Sequence, residues 1–283
     1  MAIFKTSAHL FEDFNLSFSA LDYSKMKFGD IESSKKCALD LSKVFIEFLK
    51  NNEITKKIVV APSPYQEIPK SSHHIFTFFV KYVNRWLFQN NKEMLITTKI
   101  GSSHVYNVDY GTLLLEDREK LIKTGVLQVD RDLIFNSHFV MLDDLRMTGT
   151  LEKTIINRLQ NQKILETFDF HLVYYAENTS TIIPDNFENY LNFAAIKTYH
   201  DFIEILDLGG MWNMRNLKYV LELDEKCLLD FLTIMNEKTN GIFIENFYDT
   251  VISSNCYSVE TYKKNILNIQ NYFVNLLKKS YIF

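Results

Sequence analysis

His138-Phe-Val-Met-Leu-Asp-Asp-Leu-Arg-Met-Thr-Gly-Thr150 sets a short apolar run against two adjacent acids and a small-residue turn. Phe139 to Leu142 read as a buried strand, and Asp143 and Asp144 stand at its carboxyl end. Beyond the turn, Leu151-Glu-Lys-Thr-Ile-Ile-Asn-Arg-Leu159 repeats apolar residues at helical spacing, so the whole reads as strand, loop and helix. In open α/β sheets ligands bind beyond the carboxyl ends of strands, and a helix N-terminus offers unpaired N–H groups to a phosphate. Gly149 lets the backbone approach closely, and Thr148 and Thr150 add hydroxyl donors. Such a combination suits a phosphorylated sugar.

Working outward, the same alternation recurs. Ile31 to Lys50 carries Ala38, Leu41 and Phe45 on one face of an amphipathic helix. Lys57–Ala61 reads as a strand, Ser71–Phe88 as a helix, Glu93–Thr98 as a second strand and Phe168–Tyr175 as the strand after the acid motif. The order is βαβ-like, for which parallel pairing with right-handed crossovers is the rule. After Pro184 the pattern turns helical, in segments over 185–196, 201–208, 213–223, 225–238, 242–254 and 259–279. The expected fold class is therefore α/β, a mostly parallel sheet flanked by helices, with residues 1–208 forming the core and 209–283 a helical C-terminal subdomain or hood. Gly209-Gly210 is the expected hinge.

Composition narrows the function. With 31 Lys and Arg against 35 Asp and Glu, the net charge is −4, which supplies no basic field for a polynucleotide, and no nucleic-acid partner is expected. The three cysteines, Cys37, Cys227 and Cys256, lie far apart, so neither a disulfide framework nor a zinc site is indicated. The N-terminus lacks the succession of a signal peptide, and the aromatic segment Ile75–Phe88 is broken by Lys81, Asn84 and Arg85. A cytoplasmic protein with no membrane partner is expected. His73 and His74, adjacent on a helix, point about 100° apart and do not make a metal pair, so they read as structural.

The acid motif resembles the 5-phosphoribosyl 1-pyrophosphate (PRPP) motif of the type I phosphoribosyltransferases, an apolar strand, two acids, a short variable piece and a Thr-Gly-Thr or Ala-Gly-Thr turn. Two positions depart from it. Met147 stands where a threonine usually bonds the 5′-phosphate, and Arg146 replaces a small apolar residue. Through Tyr23–Asp30, Asp109–Arg118 and Asp143–Glu152 the chain looks most like phosphoribosyltransferase-like proteins of bacterial tellurite-resistance and stress-response operons.

This resemblance implies an enzyme that moves 5-phosphoribosyl from PRPP to a nitrogenous heterocycle and releases pyrophosphate. It gives Asp143 and Asp144 the catalytic role over the ribose hydroxyls, directly or through Mg²⁺. Magnesium is content with few carboxylates when substrate oxygens and waters complete its shell. Arg146, Met147, Thr148, Gly149 and Thr150 become the 5′-phosphate site. The proline-rich loop Ala61–Ser72 follows the first expected strand. It either holds pyrophosphate, through Ser63, Lys70, Ser71 and Ser72, or merely orients the next helix. Lys99, with His104 and Arg118, falls in the place of the family's lid; Lys99 is read as a further pyrophosphate contact, the alternative for each of the three being an ordinary solvated surface residue. Tyr23, Lys25, Lys27, Trp212, Arg215 and Lys218 are candidates for a hood over the acceptor base, although aromatic residues at helical spacing more often belong to a core. The resemblance also implies a homodimer. The rival expectation is a non-catalytic PRPP or nucleotide sensor, motivated by Met147 and the atypical lid.

Overall fold

The structure is a computed structural model, and it describes residues 2–102, 127–180 and 186–280. The strands are β1 (Ile3–Phe11), β2 (Ile58–Pro62), β3 (Ile96–Thr97), β4 (Gly101–Ser102), β5 (Leu127–Gln128), β6 (His138–Arg146) and β7 (Asp169–Asn178). Among the described residues the helices of the first part are α1 (Ala20–Lys27), α2 (Ile31–Asn51), α3 (Ser72–Gln89), α4 (Arg131–Ile134) and α5 (Thr150–Asn161). There follow α6 (Phe187–Asn192), α7 (Tyr199–Asp207), α8 (Met214–Leu221), α9 (Glu225–Thr239), α10 (Ile242–Ser253) and α11 (Lys263–Ser280).

Five strands form one sheet in the order β1-β7-β6-β2-β3, every pair parallel, while β4 and β5 form a small antiparallel ladder. The α/β reading holds, with a helical C-terminal region. Sequence reasoning missed β1, which lies at the sheet edge and whose residues before the buried Phe11 are all half-buried or exposed. It overextended the strand at 93–98, where only Ile96 and Thr97 pair.

Side chains alternate between the faces of a strand, and that alternation builds two cores. Val60, Val140, Leu142 and Val173 face α1, α2 and α3, packing with Met26, Leu41, Phe45 and Phe79. Val59, Phe139, Met141 and Leu172 face the other way, onto Ile155 and Leu159 of α5. A third cluster joins the C-terminal helices through Phe202, Leu217, Phe231 and Phe247, and it also takes in Phe28, just after α1.

On the α2 face a polar thread crosses three strands. His138 Nε2 lies 3.0 Å from His171 Nδ1, and His171 Nε2 lies 2.8 Å from Thr6 Oγ1. Phe48 covers this pair, its ring centroid 4.3 Å from that of His171. Burial pulls both imidazoles down, His138 to about 4 and His171 to about 3, so both rings are neutral and are satisfied by one another.

Candidate functional site

The chain runs outward from β2 to β3 and then returns to place β6 on the other side of β2. The crevice beyond the carboxyl ends of β2 and β6 is thus the switch point at which such sheets bind ligands. Asp143 and Asp144 end the buried part of β6 there.

Strand alternation sends these neighbours in different directions. Asp144 shares the face of Val140 and Leu142, so it meets α1 and the start of α3. Its Oδ2 accepts Lys27 Nζ at 2.6 Å and Ser71 Oγ at 2.8 Å. Asp143 takes the other face, pairs in register with Tyr174, and accepts the Asp144 amide at 3.0 Å. Both acids are only 7% exposed, less open than a solvent-reached strand end implies. Burial, with Asp144 beside it, pushes the Asp143 carboxyl up, against the pull of Lys70, Lys27 and the Ser63 hydrogen bond. Burial would raise Asp144 too, yet Lys27, by charge and hydrogen bond, together with Ser71 holds it below the ordinary carboxylate range. One acid is thus an anion matched to an ammonium, and its neighbour holds a proton to higher pH than an ordinary carboxyl does.

The turn after β6 brings Arg146, Met147, Thr148, Gly149 and Thr150 into the same cleft. Gly149 sits at φ +72° as the N-cap of α5 and has no side chain to cap it, while Thr148 Oγ1 accepts the Thr150 amide at 3.3 Å. A Cβ at Gly149 would lie 2.6 Å from the Arg146 guanidinium, which lies across the turn. Arg146 Nε donates to Glu152 Oε2 at 2.6 Å, and its Nη1 to Glu177 Oε1 at 3.1 Å. Glu177 also accepts Lys5 and Ser7, each at 2.6 Å. Arg146 is therefore bound to two carboxylates behind the turn, and its charge is largely answered there. Met147 packs at the edge of the α1–α3 core. Thr148 and Thr150 join hydroxyls at 2.8 Å.

The proline-rich loop divides by residue. Lys70, Ser71 and Ser72 line the cleft. Ser63 is fully buried, bonded to Ser72 Oγ at 2.6 Å, and orients the loop from beneath. Lys99 stands apart from this cleft. Its ammonium donates to the Gln66 carbonyl and lies 4.5 Å from the centre of the Tyr65 ring, in a separate surface hollow with Gly101 and Gln128. The lid residues His104 and Arg118 lie outside the described residues.

The cleft is roofed by the helical region. Met214, Arg215, Lys218 and Tyr219 of α8 line it, with Glu222 just beyond and Glu188 from α6. Of the hood candidates, Arg215, Lys218 and Lys27 are in the cleft. Trp212 instead packs on Phe247, ring centroids 4.9 Å apart, Tyr23 is fully buried and stacked on Tyr175, and Lys25 is exposed.

The roof is fastened by buried amides. Asn213 donates to the Lys27 carbonyl at 3.1 Å and lies 3.0 Å from His74 Nε2, while Asn216 donates to the Phe28 carbonyl at 3.1 Å. Gly29 and Met211 pair through Met211 N–H at 2.9 Å, and Met214 N–H reaches the Pro69 carbonyl at 2.8 Å. His74, pulled down to about 4 by burial, serves here as a neutral acceptor. Among the described residues no group of three or more His, Cys, Asp or Glu could hold a metal ion. No described helix is long and apolar enough to cross a membrane.

A family model described as PRTase ComF-like, the abbreviation standing for phosphoribosyltransferase, matches residues 4–269. The chain belongs to the PRTase ComF-like family. That match spans both the sheet and most of the helical region, so the roof is part of what defines these ComF-like chains. No curated protein matches. Among solved structures, a hypoxanthine phosphoribosyltransferase from Staphylococcus aureus is similar at 15% identity over 58% of this chain and 70% of that one, with a TM-score of 0.29. A hypoxanthine-guanine phosphoribosyltransferase from L. donovani shows 12% identity, covering 52% and 72%, with a TM-score of 0.30. One from Schistosoma mansoni in complex with IMP shows 9%, covering 56% and 75%, at 0.30.

Proposed function

We propose that this cleft binds PRPP and that the chain transfers its 5-phosphoribosyl group to a nitrogenous heterocycle. The observation that carries the reading is that the acid pair, the glycine turn and Lys70-Ser71-Ser72 open into one cleft at the sheet's switch point. The C1–oxygen bond to pyrophosphate breaks, a C1–nitrogen bond forms with inversion, and positive charge develops on the ring between. Asp143 and Asp144 accept the ribose hydroxyls and lie close to that charge. Thr148, Gly149 and Thr150, with the first turn of α5, take the 5′-phosphate. Lys70, Ser71 and Ser72 take the leaving pyrophosphate, and the roof, with Arg215, Lys218 and Tyr219, receives the acceptor. The nearer kinship with the tellurite-resistance and stress-operon proteins belongs to the same proposal; of its three segments, Asp109–Arg118 falls outside the described residues.

The resemblance also implies Mg²⁺ on Asp143 and Asp144, and the residues as arranged do not fit it. Asp144 already holds an ammonium at 2.6 Å. Asp144 Oδ2 already accepts both Lys27 and Ser71, so a divalent ion on that oxygen would have to displace the ammonium. No step here runs through a metal.

The test is incubation with PRPP and a mixed heterocycle library, in Mg²⁺ and separately with a chelator, with mass spectrometry for a ribose 5-phosphate adduct and an assay for pyrophosphate. An adduct with stoichiometric pyrophosphate supports transfer. PRPP binding without pyrophosphate from any acceptor assigns the sensor role instead, and no PRPP binding refutes the reading.

A further inference from the structure

Lys27 is buried, its side chain 10% exposed, and it ends α1 with its ammonium on an equally buried carboxylate. Three contacts hold it there. Asn213 grips its carbonyl at 3.1 Å, the Tyr23 ring lies 5.7 Å from its ammonium, and Asp144 accepts a hydrogen bond from that ammonium at 2.6 Å. A buried ammonium is tolerated only when paired. An ammonium carries three N–H donors, and Asp144 takes one, which leaves donors for the oxygens of a ligand in the cleft that Lys27 lines. The floor thus has a compact cation on Asp144, at the carboxylate that a divalent ion would otherwise claim.

We propose that Lys27 is the cation of this site, its ammonium standing at the acid pair in place of a divalent ion, so that the cleft takes a phosphorylated pentose without metal. The inference rests on the reading of the cleft as a phosphosugar site, and it parts from that reading over the metal.

Calorimetric titration of the full chain with ribose 5-phosphate tests it, because this ligand has no pyrophosphate to carry its own metal. The expected Kd is the same within about twofold in chelator and in saturating Mg²⁺, whereas tightening by about tenfold or more in Mg²⁺ overturns the proposal. This arm needs no variant, so it stands if Lys27→Met fails to fold. In Lys27→Met, affinity in chelator should fall about tenfold and Mg²⁺ should restore it, since the vacated acid pair becomes open to the ion; loss that Mg²⁺ does not restore overturns the substitution of one cation for another. Mn²⁺ binding followed by electron paramagnetic resonance needs no sugar. The wild-type chain should show no ion at the acid pair and Lys27→Met should gain one that Asp143→Asn removes. A wild-type Mn²⁺ site abolished by Asp143→Asn sinks the proposal while leaving the phosphosugar reading intact. Absence of ribose 5-phosphate binding in every buffer sinks that reading, and the Mn²⁺ result still decides which cation the pair holds.

Discussion

Lowering the pH from 7 to 5 loads the His138–His171 pair, and the cost can be worked out. An unperturbed imidazole titrates near 6.5, whereas burial holds His138 at about 4 and His171 at about 3. Between those values the unfolded chain binds protons that the native chain refuses, so stability falls as pH drops through the window from about 6.5 to 4. At pH 5 each imidazole contributes about 2 kcal/mol of lost stability, and the pair about 4 kcal/mol, a large share of the roughly 5–15 kcal/mol that holds a domain folded. The comparison is a double variant, His138→Gln with His171→Gln, which keeps polar groups near Thr6 and removes the titration. Urea unfolding at pH 7, 6 and 5, followed by circular dichroism, should give a wild-type loss about 4 kcal/mol steeper than the variant's. His74 and Asp143 also titrate abnormally, but both proteins retain them, so their effects cancel in the difference. Parallel pH profiles for the two proteins would refute the reasoning.

Three substitutions extend it. Asp144→Asn leaves the Lys27 ammonium buried without its anion and should cost about 3 kcal/mol in urea, most of which Lys27→Met recovers in the double variant; failure of that recovery removes the ion pair as the cause. Gly29→Ala puts a Cβ 2.0 Å from the Met211 carbonyl at φ +90°, and thermal unfolding should show a loss of about 3 kcal/mol or more, a neutral result being incompatible with the packing described. Tyr23→Phe deletes a buried hydroxyl that has no partner among the described residues and should raise stability by about 1 kcal/mol; destabilisation of that size would show that the hydroxyl is bonded after all.

What the sequence disclosed follows from the range of each signal. The strand, acid pair, glycine turn and helix of residues 138–161 are contiguous, so their periodicity and turn chemistry could be read directly. Ser71, Ser72 and Lys70 were reachable because a loop after a strand end belongs near the next strand's end. Lys27 was visible only as a basic residue near the start of the chain. Its pairing with Asp144, 117 residues away, exists only once strand alternation turns Asp144 toward α1. Arg146 looked like a phosphate ligand by position, and only the sheet register, which sets Arg146 opposite Glu177, shows where its charge is spent. Trp212 failed as a base-stacking residue because an aromatic flanking a helix satisfies the neighbouring core as readily as a ligand. Lys99 failed because Tyr65 and Gln66, close in space, offer its ammonium a nearer resting place.

The stitching of Gly29 to Met211, and of the Lys27 and Phe28 carbonyls to Asn213 and Asn216, bears on how such proteins diversify. A helical roof transplanted from one relative onto the sheet of another would arrive without its matching hooks. A working chimera would have to move residues 27–30 together with 211–216, as a single cassette. Recombination that separates these segments should yield chains whose sheet assembles while the lysine at the floor loses its footing.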